Sequence, residues 1–299
     1  MPKPTGNRFL DPAGLARVGN MELVARHVVE GFLTGRHRSP YHGFSVEYLD
    51  HRAYAPGDEI RTLDWKVLAR TNKYYVKLFE DETNLRAYIL LDCSRSMAFK
   101  SGELSKFEYA SYLAASLTYL LLRQNDAVGL VLFDEAIRQY LPPRAHPSQF
   151  RRILDLLEAT TPVGETNVGV TLHEVAERVR RRGLVIVISD LIDDAGTIAS
   201  GLQHFRHNQH EVIVFQVMDE AELTFPYERL THFRDIEGSG RVVVNPRSLR
   251  KRYLARLEAY TEQIKAHCFE RKIGYTLANT KEPYDVFLAA YLDKRSRLG

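Results

Sequence analysis

Residues 87–96 read Ala87-Tyr88-Ile89-Leu90-Leu91-Asp92-Cys93-Ser94-Arg95-Ser96, a run of apolar side chains that ends in an acid and then two hydroxyls at alternate positions. Unbroken apolarity marks a strand covered on both faces, as in a parallel sheet; a strand with one wet face would alternate. The same kind of run recurs as VGLVLF (128–133), LVIVI (184–188) and VIVFQV (212–217), with helix-like segments between them at roughly 105–123, 148–158, 169–182 and 195–207. Strand then helix, repeated, predicts an α/β fold with a doubly wound, mostly parallel sheet and right-handed crossovers. IRQYL (137–141) alternates apolar with polar and stops at Pro142 and Pro143, which suits a half-exposed edge strand after a turn at Asp134 and Glu135. HFRDI and RVVV, flanking Gly238-Ser239-Gly240, predict a hairpin. A charged helix over 247–272, a strand at IGYTLA (273–278) and a terminal helix from 284 complete a domain spanning 86–299.

The first 85 residues read differently. A helix-like stretch from Met21 to Leu33 leads to strand-like SVEYL (45–49) and YYVKLF (74–79), with a short helix at Asp64 to Thr71 between them. No Pro/Gly/Ser-rich spacer separates this α+β extension from the rest, so it is expected to pack on the α/β domain. Alternating charges at Arg52, Asp58, Arg61, Asp64 and Arg70 around Trp65 suit a mutually satisfied ion-pair network that pins the segment down.

Composition narrows the function classes. Hydrophobic residues at 44% and charged residues at 26% exclude a disordered chain. Lys and Arg (41) nearly balance Asp and Glu (38), so net charge implies neither a nucleic-acid nor a membrane partner. Arg178, Arg180, Arg181 and Arg182 read as the end of a helix, where cations complement the macrodipole and face water. The 35–43 segment, with Arg36, His37, Arg38 and His42, could bind phosphate and reads equally well as an exposed turn. Cys93 and Cys268 have no CxxC or zinc spacing, and His173, His204 and His207 have no second ligand at zinc spacing, so each histidine is expected to be structural. Free cysteines, and no apolar stretch of signal-peptide or membrane-spanning character, point to a cytoplasmic protein with no membrane insertion.

In an open α/β sheet the ligand crevice lies past the carboxyl ends of the strands. Three loops fall there: Asp92 to Ser96, Gly164-Glu165-Thr166-Asn167, and Ser189-Asp190. They offer carboxylates and hydroxyls without imidazole, an all-oxygen set that suits Mg²⁺ or Mn²⁺ and not zinc. The spacing of Asp92, Ser94 and Ser96 lets a looping backbone turn all three toward one point, with Thr166 and Asp190 closing the shell. Hydroxyl ligands leave much of the ion's charge uncompensated, so an open position would attract an anionic group from outside. Asp193 and Asp194 are expected to cap the helix starting near Ala195.

Asp-x-Ser-x-Ser after the first strand, Thr in a Gly-x-Thr-Asn loop and Asp after a later strand resemble the metal-ion-dependent adhesion site of von Willebrand factor A domains. The resemblance implies that Ser94, Ser96 and Thr166 hold a metal directly, and Asp92 and Asp190 directly or through water. Leu191 departs from the pattern, since many such domains have Gly there. Arg52, Tyr54, Pro56, Gly57, Asp58, Arg61, Asp64, Trp65, Ala69 and Arg70 are similar to the signature of the bacterial family called domain of unknown function 58. Longer members of that family carry membrane helices, and this chain resembles a soluble short form. The family resemblance implies a non-enzymatic adaptor working beside MoxR-type AAA+ ATPases, docking an acidic residue of the ATPase or of a client protein.

Two other readings stand beside it. Haloacid-dehalogenase-like phosphatases place a nucleophilic Asp at the position of Asp92, but they use Asp-x-Asp, and Ser94 cannot supply the second carboxylate. No phosphate-binding loop, dinucleotide fingerprint or nucleophile elbow is present in the sequence. The other reading is a scaffold whose metal site is empty.

Overall fold

The computed structural model describes residues 50–53, 65–71, 74–78, 85–228, 231–234, 241–244 and 246–296. Its centre is a six-stranded sheet made of β3 (Arg86–Asp92), β4 (Ala127–Phe133), β5 (Ile137–Arg144), β6 (Leu184–Ser189), β7 (Glu211–Met218) and β10 (Gly274–Asn279). The strands lie in the order β10-β7-β6-β3-β4-β5, and every pairing is parallel except β4 with β5. The chain begins the sheet at β3, builds outward through β4 and β5, and then crosses to the other side for β6. The order therefore reverses between β3 and β6, and the carboxyl ends of strands at such a switch point are where open α/β sheets place their ligand crevice.

Why both faces are covered is visible along β3. Ala87, Ile89, Leu91 and Cys93 belong to one core and Tyr88 and Leu90 to another, as the strand's period of two requires. The first core is closed by α2 (Lys106–Arg123), α3 (Pro147–Ala159) and α8 (Tyr284–Ser296). On the opposite face, α4 (Val168–Arg178), α5 (Ala195–His207) and α7 (Pro246–Glu270) close the second. Ser105 starts α2 with a capping box: its hydroxyl accepts from Glu108 N at 3.1 Å, and its own N–H donates to Glu108 Oε2 at 2.7 Å.

Two expectations need correction. β5 does not stop at Pro142 but runs through Pro143 to Arg144. It is an edge strand with register shifts against β4, so the missing proline N–H groups break no pairing, and Gly129 lets Leu141 O and Pro143 approach where a Cβ would clash. α4 ends at Arg178 and not at 182, leaving Arg180, Arg181 and Arg182 exposed beyond it; only Arg178 stands in the last turn.

Outside the large sheet, β1 (Asp50–Ala53) pairs antiparallel with β2 (Tyr75–Leu78), and α1 (Trp65–Thr71) lies between them in sequence. β8 (Thr231–Arg234) and β9 (Arg241–Val244) form the expected hairpin. A five-residue helix, α6 (Glu220–Thr224), follows β7. The 21–33 helix, the 45–49 strand and the Asp58, Arg61 and Asp64 part of the charge network lie outside the described residues. Among the described residues no helix is long and apolar enough to cross a membrane.

Candidate metal centre

β3 delivers Asp92 to the crevice wholly buried, and its carboxylate is held at both oxygens. Oδ1 accepts from Ser94 N at 2.9 Å and Oδ2 from Ser189 Oγ at 2.6 Å. Ser94 Oγ and Ser96 Oγ lie 3.1 Å apart. The backbone then turns through a 3-10 helix, Arg95–Ala98, which leaves Arg95 in solvent while Met97 enters the core. The loop between α3 and α4 is laid against this one by two backbone bonds, Arg95 N to Gly164 O at 3.1 Å and Val163 N to Cys93 O at 3.1 Å. Gly164 needs its positive φ of 88°, and a Cβ there would strike Asp134 Oδ2. Thr166 follows two residues later, half-buried.

The third loop approaches through Ser189, whose hydroxyl binds Asp92 and also accepts from Leu191 N at 2.9 Å. Leu191 holds φ at 56°, the left-handed conformation for which glycine is the usual residue, and its side chain is fully buried. The departure at this position therefore changes the residue and not the turn. Tyr260 of α7 clamps the loop from outside: its hydroxyl shares its one proton between the carbonyls of Leu191 and Asp193 and accepts from Asp193 N at 3.3 Å. Asp194 caps α5, accepting from Thr197 N at 2.8 Å. Asp193 does not join it there; it accepts from Gly169 N at 3.2 Å in the first turn of α4, tying the third loop to the helix that follows Thr166.

Asp190 is also fully buried, and its carboxylate is shared. Oδ2 accepts from Lys106 Nζ at 2.8 Å and Oδ1 from Ile192 N at 3.3 Å. Lys106, itself buried, bridges on to Glu222 Oε1 at 2.8 Å. These partners raise the Lys106 ammonium above its ordinary range despite the opposing cost of burial. Asp92, Asp190 and Glu222 against one ammonium leave two net negative charges when all are ionised. Burial first, and the charge of Asp190 second, push the Asp92 carboxyl up to about 7. Two carboxylates in low dielectric beside hydroxyl oxygens are a donor set that a hard divalent cation fits, since it would offset the repulsion that raises Asp92.

No sequence pattern singles out Lys106, Glu222, Tyr260 or the bond from Ser189 to Asp92. Cys93 and Cys268 are free and buried, and burial pushes their thiols up to about 12 and about 11, so neither is a nucleophile at neutral pH. His173 and His204, each expected to be structural, face each other across α4 and α5 with Nδ1 atoms 3.2 Å apart. A cleft of about 470 Å³ flanks the centre between α2 and the end of α3, with Ala98, Lys100, Tyr112 and Pro162 in its walls.

Residues 50–263 match the family described as protein of unknown function DUF58. The chain belongs to that family. Uncharacterized proteins of Mycobacterium tuberculosis and Mycobacterium bovis are 28% identical over 222 residues, covering 72% of this chain and 68% of theirs. Among solved structures, the conserved hypothetical protein BatB from Bacteroides thetaiotaomicron superposes with a TM-score of 0.50 at 20% identity, covering 71% of this chain and 99% of that one. The VWA domain of SpRpn10 aligns over 69% of this chain and 94% of its own at 11% identity and a TM-score of 0.41. The six-stranded, mostly parallel α/β sheet of this DUF58 chain is the fold it shares with BatB.

Proposed function

We propose that this DUF58 chain is a non-enzymatic, divalent-metal-dependent adaptor that docks a carboxylate of a partner protein. The observation carrying the reading is the buried, net-negative, hydroxyl-lined crevice where Asp92, Ser94 and Ser96 meet the Ser189-Asp190 loop. Ser94, Ser96 and Thr166 would hold Mg²⁺ or Mn²⁺ directly, and Asp92 and Asp190 directly or through water. Bound there, the ion would supply a positive centre with a position open to an anionic side chain. Asp92 is oriented for this by Ser189 and Ser94 N, and Asp190 by Lys106 and Ile192 N, so neither carboxylate must reorganise much to serve. Ser94 stands where an Asp-x-Asp hydrolase needs its general acid or base, which favours binding over catalysis.

A MoxR-type AAA+ ATPase, or a client presenting an acidic residue, is the proposed partner, with ATP-driven work done by the ATPase. A cytoplasmic place belongs to the same proposal and rests on the two free thiols. The test is a pull-down of the host's MoxR-type ATPase by the full chain. Capture in Mg²⁺, its loss in EDTA, and weakening by Ser96→Ala or Thr166→Ala with unchanged melting temperature are expected. Capture that survives both chelation and substitution would show that another surface makes the contact.

A further inference from the structure

The helices on either side of the third loop cross at van der Waals distance because two glycines permit it. A Cβ on Gly169 of α4 would strike Thr197 of α5, and one on Gly201 of α5 would strike Gly169 O and the Leu172 side chain. Asp193 binds Gly169 N at one end of this seam, and Asn208 Nδ2 donates to Ala176 O at 3.2 Å at the other. Between those fixed points stand His173, one turn after Gly169, and His204, three residues after Gly201.

Both imidazoles are half-buried, so solvent reaches them. Their Nδ1 atoms are 3.2 Å apart, with ring centroids at 5.4 Å and planes at 47°. A tetrahedral ion with Zn–N bonds of about 2.0–2.1 Å sets its ligand nitrogens about 3.3–3.4 Å apart, so the spacing fits two ligands of one ion with little movement. His173 Nε2 lies 3.1 Å from Ser200 Oγ. A proton on that nitrogen, donated to Ser200, leaves the Nδ1 lone pair facing His204, which is the support a metal-bound histidine ordinarily receives at its other nitrogen.

We propose that His173 and His204 form a second, open cation site on the α4–α5 seam, for a borderline divalent transition metal of the zinc class. It is chemically unlike the all-oxygen crevice and does not depend on that crevice binding anything. Among the described residues no third His, Cys, Asp or Glu completes the set, so water fills the remaining positions. Glu174 and Glu177 on α4 and Arg206 and His207 on α5 are the nearby ionisable groups in sequence; Glu174 is paired with Arg178 at 2.7 Å, and Arg206 donates to His210 O at 2.7 Å. Without metal, the two rings share one proton between their Nδ1 atoms. On binding, that proton moves through solvent to His204 Nε2, both Nδ1 lone pairs bind the ion, and no proton is released overall.

The test is calorimetric titration of ZnCl₂ into the full chain carrying Asp92→Asn, which weakens the oxygen site, alongside the same protein with His173→Gln or His204→Gln added. The glutamines keep a polar group on the seam, and unchanged melting temperatures confirm folding. One zinc ion more in the parent than in either histidine variant is expected, together with a switch of His204 from its Nδ1–H to its Nε2–H tautomer in ¹⁵N spectra. Equal zinc uptake by all three proteins, or no uptake by the parent, would overturn the proposal and leave the pair as a hydrogen bond only.

Discussion

Lys106 Nζ stands 2.8 Å from Asp190 Oδ2 and 2.8 Å from Glu222 Oε1, with the lysine side chain entirely out of contact with water. The first residue of α2 is thereby joined to the loop after β6 and to the helix after β7. Glu222 continues the chain of contacts, accepting from Asp219 N at 2.9 Å, and Asp219 in turn accepts from Ser101 N at 2.9 Å. One buried cation thus organises the rim of the crevice.

Removing that cation should be costly. Lys106→Met leaves two carboxylates without their partner, and breaking a buried pair from one side costs about 3–5 kcal/mol. Urea denaturation of Lys106→Met should show a loss of that size, and adding Asp190→Asn should recover part of it. A loss under about 1 kcal/mol would show that the bridge contributes little.

Leu191 offers a test of backbone strain against packing. Burial makes its truncation expensive, about 2–5 kcal/mol for Leu→Ala. Its φ of 56° would remain strained in alanine but not in glycine. Leu191→Gly is therefore expected to be at least as stable as Leu191→Ala, reversing the usual order, when the two are compared by thermal melting. A clearly less stable glycine variant would contradict the left-handed turn.

Asp126, at the entrance to β4, is 6% exposed, and burial pushes its carboxyl up to about 6 against the opposing bond from Leu85 N. An acid whose native pKa is raised holds its proton in the folded state after the unfolded chain has lost it. Stability therefore falls as pH rises from about 4 to about 6, and the penalty is complete above that. Asp126→Asn, which still accepts from Leu85 N, should raise the melting temperature by a few degrees at pH 7 and by nothing at about pH 4. A difference independent of pH would rule out the buried charge as its cause.

The sheet was legible because its strands are buried on both faces and so read as unbroken apolar runs, and the loops after them inherited their place from topology. Asp92, Ser94 and Ser96 were legible because one turn of backbone joins them. Lys106 was not, since its partners lie 84 and 116 residues away and a lysine at a helix start looks like a surface residue. The pairing of His173 with His204, 31 residues apart, depends on how closely two glycines let the helices cross. The end of α4 was misread because the arginines after Arg178 are good helix formers, yet the chain must turn there to enter β6.

If Asp92, Ser94, Ser96, Thr166 and Asp190 serve one divalent ion, removing the Asp92 carboxylate removes its binding. Calorimetric titration of Mg²⁺, and separately Mn²⁺, into the full chain and into its Asp92→Ala variant decides this. Binding of one ion at this site in the parent and its loss in Asp92→Ala are expected, with the variant still folded by circular dichroism. Equal binding by both proteins would contradict that assignment.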